Sequence, residues 1–192
     1  MTSASDRNTK FAAPTADGAI AALDAAGIKT VHIGILDTDS TLRERRLPLT
    51  QAAAAFRGPY SFPNVVFKWD TSESVYDPSD SYCDEPAAVD PTSGRCYPFE
   101  PAAALYLAEF TGPSASVAPR NLLRRQIERA AAMGYGAKAA IECEFTVLAE
   151  TAESLRRKNY EGLVAWAPDN RCYAGDTAAI YADLVSDLQV EM

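Results

Sequence analysis

The stretch VHIGILDTDSTLRERRLP, residues 31 to 48, constrains the fold more than any other part of the chain. VHIGIL is rich in β-branched residues and reads as a strand, while LRERRLP reads as a second strand returning beside it. Between them, DTDST has the chemistry of a tight turn, because Asp and Ser side chains bond to backbone amides one or two residues on. Two strands joined so closely must run antiparallel; a parallel pair needs a crossover of a dozen residues or more.

Other elements follow from periodicity. TADGAIAALDAA, residues 15 to 26, predicts a helix capped by Thr15 and leaving at Gly27. TQAAAAFR, 50 to 57, predicts a second helix with Thr50 as its cap, and NVVFKWD, 64 to 70, another strand. Residues 70 to 94 are acidic, carry Asp-Pro steps and read as a long irregular excursion. Strands are expected again at CYPF and at ALYLAEF, 104 to 110, and GPSASVAP, 112 to 119, reads as a linker and domain boundary. Beyond it a helix places Leu123, Ile127 and Ala130 on one face and ends at Gly134. A strand IECEF follows, and a last helix carries Ile180, Leu184 and Leu188 at helical spacing, an apolar face with little to pack against. The class is α+β.

Composition excludes several functions. With 47% hydrophobic and 23% charged residues among 192, the chain is neither disordered nor membrane-like, and it has no apolar run of about 18 residues to span a bilayer. MTSASDRNTKFAAP lacks the apolar core of a secretory signal, so the expected location is cytoplasmic. A net charge of −8 argues against nucleic acid as a partner, and Arg43, Arg45 and Arg46 are countered by Glu44 and the acidic stretch downstream. Cys83, Cys96, Cys143 and Cys172 form no CxxC pair, and His32 is the single histidine, so these residues hold neither a zinc finger nor a histidine dyad.

Three segments could carry chemistry. ILDTDSTL resembles the first motif of haloacid dehalogenase-like phosphatases, with Asp37 as nucleophile and Asp39 as acid/base. That fold needs a parallel sheet and a later acidic pair, which Asp176 and Asp183 do not supply at suitable spacing. An EF-hand fits less well still, since Thr41 and Leu42 fall where a ligand and a glycine are needed. The favoured role of Asp37 to Ser40 is therefore the turn, and that of His32 a satisfied, partly buried side chain. Asp70, directly after VVFKW, is placed to present a carboxylate at a strand end. In IECEF, Ile141, Cys143, Phe145 and Val147 alternate onto one face, expected to be core. Glu142 and Glu144 share the other, which is solvated, countercharged or metal-bound.

The order of these pieces is similar to the N-terminal part of the glutamine synthetase family. That family has a hairpin of D-x-D-G-x-L-R-x-K-R-x-P type, a linker leading to a P-R-x-x-L-R-R helix, and a strand ending in E-x-E-F. Here they stand as DTDSTLRERRLP, PRNLLRRQIER and IECEF. The likeness covers residues 15 to 148 and continues weakly through NRCYAGDTAAIYADLVSDL.

The resemblance implies a flexible N-terminus over 1–14, a β-grasp-like domain over 15–112, and over 113–192 the start of an α/β catalytic domain, incomplete here. It implies ATP-dependent joining of glutamate to ammonia or another amine through a γ-glutamyl phosphate, with Mg²⁺ or Mn²⁺. Carried over, Glu142 and Glu144 match metal ligands, and Asp70 matches the aspartate that the N-terminal domain lends to a neighbouring subunit's ammonium site. DTSE stands where the family has D-G-S-S, which suits a larger amine. The later ligands and most of the ATP pocket have no counterpart, so weak metal binding and no synthetase activity are expected of these residues alone. Homo-oligomers, or association with a full-length relative, are the expected partnerships. The alternative is a non-catalytic β-grasp protein that binds such a relative.

Overall fold

A computed structural model describes residues 11–169, 171 and 173–191; residues 1–10, with most of the expected flexible terminus, and Cys172 lie outside the described residues. The chain divides into two units, Met1–Ala137 and Lys138–Met192. Among the described residues no helix is long and apolar enough to cross a membrane.

In the first unit, helix α1 (Ala16–Ala25) starts where Thr15 accepts a bond from the Gly18 amide at 3.1 Å. It leaves at Gly27, whose φ of +69° favours glycine. The hairpin forms as expected: β1 (Thr30–Leu36) pairs antiparallel with β2 (Leu42–Pro48). Helix α2 (Leu49–Arg57) follows, its cap position taken by Pro48 rather than Thr50. Then come β3 (Tyr60–Pro63), β4 (Asp84–Val89), the short β5 (Arg95–Cys96), β6 (Ala103–Phe110) and helix α3 (Pro119–Ala132). The strand order is β2-β1-β6-β4-β3, with β5 beside β6. Only the β1–β6 pair is parallel among these strands.

Leu23, Val31, Ile33, Phe56, Tyr106 and Phe110 belong to one buried core. Each contributes roughly 1.5–3 kcal/mol of burial. Phe11 joins this core at 2% exposure, its carbonyl accepting from the Tyr106 hydroxyl at 2.5 Å. The start of the described chain is therefore pinned to the sheet.

The sheet is curled. Arg45 on β2 reaches Asp84 at the start of β4 (3.1 Å), and its guanidinium carbon lies 5.4 Å from the ring centroid of Phe62 on β3. The two ends of the strand order thus approach one another.

Several expectations about this unit change. NVVFKWD is not a strand: Asn64–Phe67 is a 3₁₀ turn. Asn64 is buried there, accepting from the Cys83 amide at 3.2 Å and donating to Glu85 at 2.9 Å. The strand lies instead inside the acidic excursion, at β4, which alternates exposed and buried residues. Its pattern was hidden because one inward residue is Glu85 and one outward residue is Pro86, which argues against a strand.

The 112–119 segment is packed rather than a free linker. Ser114 is buried and donates to Glu85 through its amide (2.8 Å) and its hydroxyl (2.9 Å). Arg120 holds the start of α3 to Glu109 and Asp90. The helix ends near Gly134 (φ +84°) as expected, but its expected apolar face is uncovered, with Leu123 61% and Ile127 50% exposed.

The second unit is helical and irregular: α4 (Ala152–Arg157), α5 (Gly175–Ile180) and α6 (Ala182–Glu191). Thr151 and Ser154 form a reciprocal capping box on α4. The expected final helix breaks at Tyr181. The expected IECEF strand does not form: residues 135–147 have no regular structure, and Ile141 and Phe145 are exposed. A strand needs a ladder, and β-pairing described in this unit is confined to one bridge between Leu148 and Ala165.

Glu85 is a buried anion satisfied by three donors. Burial pushes its pKa up, but the bonds from Ser114 and Asn64 outweigh this and hold it below the ordinary value of 4.5. A depressed carboxylate contributes stability above its unfolded pKa and loses it as pH falls through the folded one. Glu85→Ala is expected to lower the unfolding free energy at neutral pH by roughly 2–4 kcal/mol, since it orphans buried donors. Urea denaturation checks this. The wild type should lose more stability than Glu85→Gln on going from neutral to about pH 3.5.

Candidate functional site

The β1–β2 turn is built around one carboxylate. Asp37, 1% exposed, accepts at Oδ1 from the amides of Asp39 and Thr41, both at 2.9 Å, and at Oδ2 from Arg43 Nε at 2.8 Å. Its own amide donates to the Thr41 carbonyl at 3.1 Å, closing the turn. Both oxygens are committed, whereas a phosphoryl-accepting nucleophile needs one turned toward its substrate. The geometry therefore makes Asp37 the organiser of the turn and gives no support to the phosphatase reading, and Asp39 is exposed beside it.

The excursion that follows is ordered locally by the same device. Asp70 Oδ1 accepts from the amides of Ser72 (2.8 Å) and Ser74 (3.0 Å). The Asp70 amide donates to the Ser74 carbonyl at 3.0 Å, and Trp69 bridges to Val75. Glu73 takes the left-handed conformation (φ +62°) that the tight loop demands. Asp77 organises the next turn: bonds from the Ser79 hydroxyl and amide lower its pKa.

The Asp37 and Asp70 turns line a common cavity of about 150 Å³, together with Asp39, Arg43, Trp69 and Tyr76 among others. Among the described residues Asp70 Oδ2 makes no hydrogen bond, so one oxygen of that carboxylate is available to a ligand. The predicted Asp70 is thus brought to a cavity. Arg43, Trp69 and Tyr76 were not singled out from sequence. The available signal for Arg43 was an arginine six residues after Asp37, at the start of the returning strand.

His32 is 4% exposed, with Nδ1 2.7 Å from Glu44 and its ring stacked on Tyr97 at 3.7 Å. Nε2 faces Glu100 at 3.4 Å, too poorly aligned for a hydrogen bond. It is buried and partnered through Nδ1, but with Nε2 unbonded it is not the fully satisfied side chain expected. Burial, then the bond to Glu44, raises the pKa of Tyr97.

Glu142 and Glu144 belong to the second unit and are exposed on irregular chain. Among the described residues no three His, Cys, Asp or Glu side chains are arranged to hold a metal ion. By themselves the two glutamates do not make a Mg²⁺ site, which wants near-octahedral oxygen ligation.

The chain is 24% identical over 176 residues to a glutamate–isopropylamine ligase of a Pseudomonas species, covering 86% of this chain and 38% of the relative. It is 28% identical over 142 residues to type-1 glutamine synthetase 2 of Dictyostelium discoideum, covering 69% and 27%. Against γ-glutamylethanolamide synthetase GlnA4 of Streptomyces coelicolor it is 38% identical over 85 residues, covering 43% and 18%. These relatives are glutamine synthetase-family ligases, and the chain is similar to them over part of their length. Its fold is that of the solved structure of apo GmaS without ligand, with a TM-score of 0.65 at 20% identity over 90% of this chain and 38% of that one. No family model matches it. The chain spans less than two fifths of the length of each of these relatives.

With two carboxylates and, among the described residues, no third ligand grouped with them, Mn²⁺ titrated into the 192-residue chain is expected to bind weakly, on the order of 10⁻³ M. Calorimetry checks it. Binding tighter than about 10⁻⁵ M that is lost in Glu142→Gln would show a coordination shell these residues do not display.

Proposed function

We propose that this chain is part of an ATP-dependent glutamate–amine ligase, and that its first unit supplies the amine-side loop. In such a reaction ATP transfers a phosphoryl group to the glutamate side-chain carboxylate; the amine nitrogen then forms the new amide bond and inorganic phosphate leaves. The attacking nitrogen must shed a proton, and Asp70 is suited to hold the ammonium and accept that proton. The observation that carries this reading is the asymmetric use of the Asp70 carboxylate: Oδ1 is tied down by two amides while Oδ2 is left for a ligand at the cavity.

Trp69 and Tyr76 at the same cavity, and DTSE where the family has D-G-S-S, favour an amine larger than ammonia. A relative named for ligating isopropylamine and one named for making an ethanolamide support that class. The divalent ion implied by the family supplies charge neutralisation for phosphate when bound. Glu142 and Glu144 are proposed as two of its ligands within a fuller shell.

The layout we assign is a β-grasp-like domain over 15–112 and the start of a catalytic domain over 113–192. The β1–β2 hairpin and the parallel β1–β6 pair support the first assignment. The uncovered Leu123 and Ile127 support association, either between copies or with a full-length relative.

Two outcomes are expected of the purified 192-residue chain. It should form no γ-glutamyl hydroxamate from glutamate, ATP, Mg²⁺ and hydroxylamine. In NMR titration, ethanolammonium should shift the Ser72 and Ser74 amides and the Trp69 indole, and Asp70→Asn should abolish those shifts. Hydroxamate formation would overturn the expected inactivity, and absence of the shifts in the wild type would remove Asp70 from the amine side.

A further inference from the structure

The cavity joins two segments far apart in sequence, and a single side chain spans them. Arg43 Nε bonds Asp37 Oδ2 in the hairpin turn at 2.8 Å, and Nη1 bonds Glu73 Oε1 in the Asp70 loop at 2.5 Å. Its guanidinium carbon lies 5.0 Å from the ring centroid of Trp69, the residue before Asp70. We propose that Arg43 is a positioning residue for Asp70, clamping the WDTSES loop to the β1–β2 turn so that the free oxygen of Asp70 stays at the cavity.

The assignment rests on Asp70 acting on the amine side, and it adds the group that sets where Asp70 stands. Asp70's own bonds, to Ser72, Ser74 and the Glu73 amide, all lie within the loop. They fix the loop's shape but not its place on the sheet. The bridge from Trp69 to Val75 is internal to the same segment. Arg43 ties the loop to a turn whose geometry is set independently, because two backbone amides already hold Asp37 Oδ1.

Arginine has the right geometry for such a clamp. Its planar fork can bond one carboxylate through Nε and a second through Nη while a face rests on an indole. Lysine has a single point of charge and cannot hold both directions at once. The guanidinium also lines the cavity beside Asp39 and Asp70. It therefore offsets part of the negative charge there without bonding the Asp70 carboxylate.

Hydrogen exchange on the 192-residue chain tests the clamp. Because Arg43→Ala also strips a partner from the buried Asp37 and can weaken the whole unit, Glu73→Gln is the second variant, removing only the charge on the loop side. In Glu73→Gln, the Ser72 and Ser74 amides should exchange about tenfold faster, the scale set by losing a charged hydrogen bond, while Ile33 and Tyr106 amides keep their wild-type rates. Arg43→Ala and Arg43→Lys should both show the loop effect and weaken the ethanolammonium-induced shifts. Unchanged loop exchange in Glu73→Gln, or acceleration spread evenly over the sheet, would overturn the proposal. A clamp that passes this test alongside an Asp70→Asn variant that leaves the amine shifts intact would instead refute the ligase role of Asp70.

Discussion

A carboxylate buried at the end of a strand must find donors, and Asp37 finds three. Two are amides of its own turn and the third is the Arg43 guanidinium. Bonds to a charged acceptor are worth more than neutral ones, and burial raises the cost of losing any of them. The turn is therefore fixed from inside, and the register of β2 against β1 follows from it. A one-residue slip would turn every β2 side chain to the opposite face. Arg43 and Arg45 would then leave the ion pairs that hold the excursion and the start of β4.

Local signals were the legible part of this fold. The hairpin, the Thr15 cap and the Gly27 and Gly134 exits depend on neighbours close in sequence, and each stands near its expected place. What could not be read depends on distant partners. β4 carries a buried glutamate whose donors come from Asn64 and Ser114, so its inward face looked polar until those donors were in place. Alternation in IECEF was real, but alternation specifies a strand only when another strand stands beside it. For Asp70, the sequence placed a carboxylate at the end of an apolar run; it could not place Arg43 or the opposing turn.

Carboxylates in this chain fall into three physical situations. Asp37 and Glu85 are buried and saturated with donors, so they serve the fold. Glu142 and Glu144 are exposed and carry their charge in solvent. Asp70 is intermediate, with one oxygen bound and one available. That half-satisfied state is what a ligand-binding carboxylate requires, since it is held in position yet keeps an acceptor for something else.

The curl of the sheet has a bearing on how the chain meets other proteins. β2 and β3 are the two ends of the strand order, and open strand edges invite further strands to add. Here β2 carries Arg43, Glu44, Arg45 and Arg46 in succession, and Arg45 extends across to Asp84 and Phe62. Charge along an edge and a side chain bridging the gap both oppose strand addition. The β2 edge is thus a poor template for strand addition or aggregation.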